Sequence, residues 1–167
     1  MIVADTSPLI GLARVGLLYL LRALHGTVAV PPAVFQELDV TAARPGSGAL
    51  RKAAEAGWLV TIELHDEVEW SSLQRELDAG ESAAILLAEQ LGSVPLLIDE
   101  KRGRTVARSR RTPVVGTGGV LLAAKAQGRI ESVRSAAGML ADAGYRLAPS
   151  LKTRLVLLAG EEPDPDI

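Results

Sequence analysis

Short apolar runs along the chain alternate with longer amphipathic or alanine-rich stretches. Ile2-Val3-Ala4 and Leu96-Leu97-Ile98 are continuous apolar runs, and each ends abruptly in a carboxylate, Asp5 and Asp99. Runs of this length, bounded by turn residues, read as strands buried on both faces, as in a parallel sheet. Thr27-Val28-Ala29-Val30, stopped by Pro31-Pro32, and Thr112-Pro113-Val114-Val115, stopped by Gly116, have the same form. Leu59 to Leu64 alternates, as a strand at or near a sheet edge does.

Between these runs the spacing predicts helices. The first enters with Ser7 as N-cap and Pro8 at the first helical position, and its apolar stretch extends from Leu9 to Leu24. A short helix carries Val34, Phe35, Glu37 and Leu38, and an alanine-rich one spans Ala49 to Ala56. Further helices are expected over Ser71–Leu77, Glu81–Leu91, Lys101 to about Arg110, Val120–Gln127, Glu131–Ala143 and Ser150–Ala159. Gly26, Gly57, Gly92 and Gly128 read as helix stops, and residues 41–48 as loop. Alternating strands and helices imply an α/β fold around a mainly parallel sheet. One domain over residues 1–160 is expected, with the acidic, proline-containing stretch 161–167 as a frayed tail.

Composition narrows the chemistry. Cysteine is absent, which excludes a disulfide framework, a thiolate zinc site and a cysteine nucleophile. The two histidines, His25 and His65, lack ligand spacing and read as surface residues. A metal site would therefore be built from oxygen ligands, which suits Mg²⁺ or Mn²⁺. No apolar run reaches the roughly 18 residues of a membrane span. Arg14 and Arg22 interrupt the longest one, and no basic leader precedes the first strand, so a cytoplasmic protein without a membrane association is expected. Leu17, Leu18, Leu20, Leu21 and Leu24 exceed what one buried stripe needs. Burial within the chain is the default explanation, and a homodimer, carried as an expectation, would also satisfy the pattern.

Net charge is −2, from 18 basic and 20 acidic residues, and does not announce nucleic-acid binding. Its distribution says more. Lys101, Arg102, Arg104, Arg108, Arg110 and Arg111 follow Asp99 closely, with no acid among them. Such a segment steers phosphates or is simply a solvated helix face. Aromatic residues make up 3% of the chain, too few for a base-stacking platform.

Functional groups of open α/β sheets gather beyond the carboxyl ends of the strands, where Asp5 and Asp99 fall. Glu37 and Glu81 lie at other element boundaries that a parallel fold brings to one edge. Glu81 alone has an ordinary structural explanation, because a carboxylate at a helix start is favoured by the exposed N–H groups. Glu100 should point away from Asp99, and Asp78 falls in the turn before a helix.

Four segments resemble the PIN-domain ribonucleases, and within them the VapC-like, toxin-related branch of small prokaryotic proteins. They are Val3-Ala4-Asp5-Thr6-Ser7-Pro8-Leu9-Ile10, Pro32-Ala33-Val34-Phe35-Gln36-Glu37-Leu38, Leu77-Asp78-Ala79-Gly80-Glu81-Ser82-Ala83-Ala84-Ile85, and Leu96-Leu97-Ile98-Asp99-Glu100-Lys101-Arg102-Gly103-Arg104 continuing to Val115-Gly116-Thr117-Gly118-Gly119. The resemblance implies a three-layer α/β/α domain and an acidic pocket of Asp5, Glu37, Glu81 and Asp99 holding Mg²⁺ or Mn²⁺. Thr6 or Ser7 would line the pocket beside the first acid. Thr117, from a Gly-Thr pair that recurs in this branch, is grouped with them without an assigned role. Lys101, Arg102, Arg104 and Arg108 would meet the RNA. Many members carry Asp where Glu81 stands. The implied activity is metal-dependent cleavage of RNA by the toxin of a toxin–antitoxin pair, with a small antitoxin as partner. A degenerate PIN-like module that binds RNA or protein without cleaving is the alternative. An aspartate-nucleophile phosphotransferase would want a second Asp two residues after Asp5, where Ser7 stands. Gly116-Thr117-Gly118-Gly119 lacks the full dinucleotide-binding pattern, and no Gly-Lys-Ser/Thr occurs.

Overall fold

The centre of the fold is β1 (Ile2–Ala4), flanked by β2 (Val28–Val30) and β4 (Leu96–Leu97) in a five-stranded sheet. The computed structural model describes residues 1–162. Strand order is β3-β2-β1-β4-β5, with β3 (Leu59–Thr61) and β5 (Val114–Val115) at the edges, and every pairing is parallel. From β1 the chain steps outward through β2 to β3, then returns to the other side of β1 for β4 and β5. The order therefore reverses between β1 and β4, a topological switch point where such sheets open a crevice. Ala4 stands opposite Leu97, and the Asp5 N–H donates to the Leu97 carbonyl at 2.9 Å, so Asp5 and Asp99 leave the sheet on neighbouring strands.

All three residues of β1 and of β2, and both of β4, are fully buried, as the apolar runs require. Helices cover both faces. One group comprises α3 (Pro32–Leu38), α5 (Glu67–Leu73), α6 (Ala79–Gln90) and α7 (Lys101–Ser109), with α6 packed on β1 and β4. The other comprises α2 (Tyr19–His25), α8 (Thr117–Ala126), α9 (Val133–Asp142) and α10 (Pro149–Leu158). α1 (Thr6–Arg14) touches α3 of the first group and α9 of the second, and α4 (Ser47–Glu55) packs on α1 and β3. The result is the three-layer α/β/α arrangement expected from the sequence.

Several boundaries differ from the sequence reading. The apolar stretch from Leu9 to Leu24 is two helices, not one, set at 118° to each other, with Gly16 at φ +73° in the break. The bend gives Leu18, Leu20 and Leu21 a buried position within the chain, and Leu17 and Leu24 pack against the same core, so this leucine excess is no argument for a dimer. α1 starts at Thr6 with Asp5, not Ser7, as its N-cap, and Asp5 makes no side-chain capping bond. Thr117 opens α8 rather than lying in the turn before it. No single helix among the described residues is long and apolar enough to cross a membrane.

Glu161 is not part of a frayed tail. Its carboxylate accepts the Ser132 hydroxyl at 2.7 Å and the N–H groups of Val133 and Arg134 at 2.7 and 3.0 Å, closing the N-terminus of α9. Residues 163–167 lie outside the described residues. Desolvation pushes the Glu161 carboxyl up, but the Arg134 N–H, Ser132 hydroxyl, Val133 N–H and Lys125 ammonium together hold it down at about 2. A carboxyl held below its ordinary value contributes stability that is complete above about pH 4.5 and is lost as the pH falls toward 2. Glu161→Gln should thus cost about 1 kcal/mol in urea unfolding at pH 7, with the two proteins converging near pH 2. Identical pH profiles for the two would show that the cap contributes nothing.

Candidate active site

Asp5 closes β1 and begins α1, and with 5% of its surface exposed it is the most enclosed of the proposed acids. Burial raises its pKa to about 7; the Thr6 N–H lowers it, while the charges of Glu81, Asp78 and Glu37 raise it further. Glu81, in the first turn of α6, is 7% exposed. Its pKa is raised by burial and then by Asp78, whose carboxylate caps α6 by accepting the Glu81 N–H at 2.7 Å. The nearby positive charge of Arg102 works in the opposite direction. Asp78 is therefore both a helix cap and a further negative charge over Asp5 and Glu81.

Glu37, near the end of α3, is exposed, and its Oε2 accepts the Thr6 hydroxyl at 2.5 Å. Thr6 thus connects the start of α1 to the second acid, whereas Ser7 is exposed and makes no hydrogen bond to any of the four acids. Asp99, just beyond β4, is half-buried and held by the start of α8. Its Oδ1 accepts the Thr117 N–H at 2.9 Å, and its Oδ2 accepts the Thr117 hydroxyl at 2.6 Å and the Tyr145 hydroxyl. The positive end of the α8 dipole favours the carboxylate there.

Glycines let the elements close around three of these acids. A Cβ on Gly80 would lie 2.9 Å from both carboxylate oxygens of Glu37. One on Gly103 would lie 3.1 Å from Glu81 Oε1, and one on Gly116 would lie 2.8 Å from Asp99 Oδ1. The Gly116-Thr117 pair, without a role on sequence grounds, thereby acquires one: Gly116 admits Asp99 and Thr117 binds it.

Tyr145 was not identified from the sequence. It follows Gly144, at φ +84°, which ends α9, and its N–H bonds back to the Leu140 carbonyl at 2.8 Å. Its ring lies on Gly11 of α1, where a Cβ would come within 2.5 Å of it. The phenol pKa is raised by burial, then by Asp99, so it stays protonated and donates. A lone tyrosine after a helix-ending glycine gives no signal in sequence.

The basic helix divides into parts. Arg110 pairs with Glu69 and Glu89, at 2.8 Å each, and is taken up by structure. Arg104 donates to the Ile98 carbonyl at 3.0 Å and lies against Gly116 beside Asp99. Lys101, Arg102 and Arg108 are exposed, with Lys101 and Arg102 in the first turn of α7 next to the acids. A cleft of about 600 Å³ runs outward from Asp99 and Arg104 along Val115, Gly119 and Leu151, and His25 lines it too. His25 is thus half-buried in the cleft rather than on the open surface, and desolvation followed by the N-terminal amine lowers its pKa.

The donor set is wholly oxygen, and among the described residues no basic side chain forms an ion pair with Asp5, Glu37, Glu81 or Asp99. In chemistry and charge it fits a hard divalent cation. In the positions observed, no three acidic or histidine side chains among the described residues converge closely enough to enclose one.

A family model described as DUF3368: PIN domain matches residues 1–161, and the chain belongs to that family. PIN domains are in general nucleases that use divalent metals. No curated protein matches the chain, and no solved structure does.

The raised pKa of Asp5 has a consequence for the metal-free protein. The folded state holds this proton more tightly than the unfolded chain does, so stability falls as the pH rises from about 4 to about 7. Asp5→Asn should be more stable than wild type by roughly 2–4 kcal/mol at pH 8 and similar to it near pH 4, measured by urea unfolding in chelator. A wild-type profile flat across that window would contradict the burial account.

Proposed function

We propose that this PIN-domain chain is a metal-dependent endoribonuclease of the VapC-like branch, hydrolysing RNA phosphodiesters at the Asp5, Glu37, Glu81 and Asp99 pocket with Mg²⁺ or Mn²⁺. The observation carrying this reading is Asp5, buried at the switch point under the charges of Glu81, Asp78 and Glu37 with no basic group paired to it. Like charges confined in a buried site oppose their own ionisation, and a divalent cation removes that opposition. When bound, such a cation offsets phosphate charge, acidifies a water and orients in-line attack.

The residues then divide the work. Asp5 and Asp99, leaving adjacent strands at the crevice, are the core ligands, and Glu81 and Glu37 complete the pocket from two helices. Thr6 orients Glu37, and Thr117 orients Asp99. Lys101, Arg102 and Arg104 attract the RNA backbone toward the acids, with Arg108 about 6 Å beyond Arg104 along α7. On this reading the chain is a toxin held inactive by a small antitoxin protein, as its resemblance to the VapC-like branch implies.

A second reading, a non-cleaving RNA-binding module, draws on the lack of three convergent acids among the described residues and on Glu81 in place of the commoner Asp. Cleavage of structured and unstructured RNA with and without Mn²⁺ separates the two. Wild type should cut only with metal. Asp5→Asn and Asp99→Asn should each lose about 100-fold or more while remaining folded, the scale of losing a transition-state charge contact. Undiminished metal-dependent cleavage in both variants would refute the assignment.

The basic residues make a separate prediction. Lys101→Gln with Arg102→Gln should weaken RNA binding across sequences and reduce the slope of log affinity against log salt by about one per phosphate contact removed. An unchanged slope would mark these residues as a solvated face.

A further inference from the structure

The cleft that opens at Asp99 and Arg104 is walled by two helices whose residues differ in kind. α8 presents Gly119 and Ala123, one turn apart and both exposed, and α10 presents Leu151 and Leu155, also one turn apart. A Cβ on Gly118 would lie 2.6 Å from Leu155, so this glycine seats α10 closely on α8. The cleft, about 600 Å³, falls within the ~300–1,000 Å³ of small-ligand sites and shares their mostly apolar walls with few polar groups. Those groups are Asp99, Arg104 and His25. One Arg104 N–H goes to the Ile98 carbonyl, which leaves others of its five for a ligand. The α10 wall belongs to a second acid-free basic stretch: Ala143 to Gly160 carries Arg146, Lys152 and Arg154 and no acid. None of these three forms an ion pair among the described residues.

We propose that this cleft is a nucleoside subsite: it receives one unpaired base of an RNA strand, laid between the α8 and α10 walls, while the backbone crosses Arg104. The inference deepens the RNA reading above and rests on it. A flat heterocycle needs a wall without projecting side chains, which Gly119 and Ala123 supply, and Leu151 and Leu155 cover its other face with apolar surface. Between aliphatic walls a base gains from leaving water rather than from aromatic stacking, in keeping with a chain that is 3% aromatic. His25 can donate or accept a hydrogen bond at the edge of the base. Basic residues on two separate segments, α7 and the one carrying Leu151, favour a polyanion over an apolar protein helix as the occupant.

The test compares, in the full chain and in chelator so that nothing is cut, the affinities of tetraribonucleotides of each base with that of an abasic tetramer of the same charge. At least one base-bearing tetramer should bind wild type roughly tenfold more tightly than the abasic one. Ala123→Phe, which fills the cleft from an exposed helix position, and Leu151→Ala, which removes part of the opposite wall, should each lower that ratio toward one. Affinity for the abasic tetramer and the slope of log affinity against log salt should stay unchanged in both, because the phosphate contacts are untouched. Melting temperature confirms that each variant is folded. Wild type that binds all the tetramers equally, or a folded variant of either kind that keeps the full ratio, overturns the subsite and leaves RNA binding standing. A leucine-rich amphipathic peptide that binds wild type but not Ala123→Phe, with no base preference among the tetramers, makes the cleft a protein groove and overturns it too. Wild type that binds none of the tetramers overturns the RNA reading, and this inference with it.

Discussion

A carboxylate buried at the carboxyl end of the central strand, with other carboxylates above it and no cation of the chain's own beside it, is the constraint around which the rest is arranged. Asp5 sits there because β1 is flanked by β2 and β4, which places its last residue at the point where strand order reverses. Asp5 is also the N-cap position of α1, yet its side chain does not cap that helix. The usual local use of an aspartate at a helix start, about 1 kcal/mol of capping, is forgone, and the group lies instead under the charges of Glu81, Asp78 and Glu37. Gly80, Gly103 and Gly116 then let three further elements approach the other acids more closely than any side chain would allow.

The acids are held in two different ways. Asp5 and Glu81 are buried, crowded by charge and raised in pKa. Glu37 and Asp99 are hydrogen-bonded by hydroxyls, from Thr6 for the first and from Thr117 and Tyr145 for the second. Under the proposed metal-binding function the first pair would supply the driving force for a cation and the second pair fixed directions. Tyr145 also ties the C-terminal part of the chain to the N-terminal part, since it bonds the acid that follows β4 while lying on α1. The C-terminal helices thereby bear on the site without contributing an acid to it.

Apolar runs ending in Asp5 and Asp99 were legible as buried strands because parallel strands covered on both faces leave no polar alternation. Glu37 and Glu81 were legible only through the resemblance, since a helix-start or helix-end acid has an ordinary explanation. The break near Gly16 was not legible, because a bend between two helices that are both apolar leaves hydrophobic periodicity almost unchanged. Tyr145 and the capping role of Glu161 were hidden for another reason. Each acts on a partner 46 and 29 residues away, at a contact that only the packed fold creates. Of the six basic residues after Asp99, Arg110 was indistinguishable from its neighbours until Glu69 and Glu89 were found around it.

The most direct test of the central claim is a crystal grown or soaked with Mn²⁺ and measured at the manganese absorption edge. The account predicts an anomalous peak in the crevice between Asp5 and Asp99. A well-ordered crystal with no peak at Asp5, or with the ion held elsewhere, would contradict it.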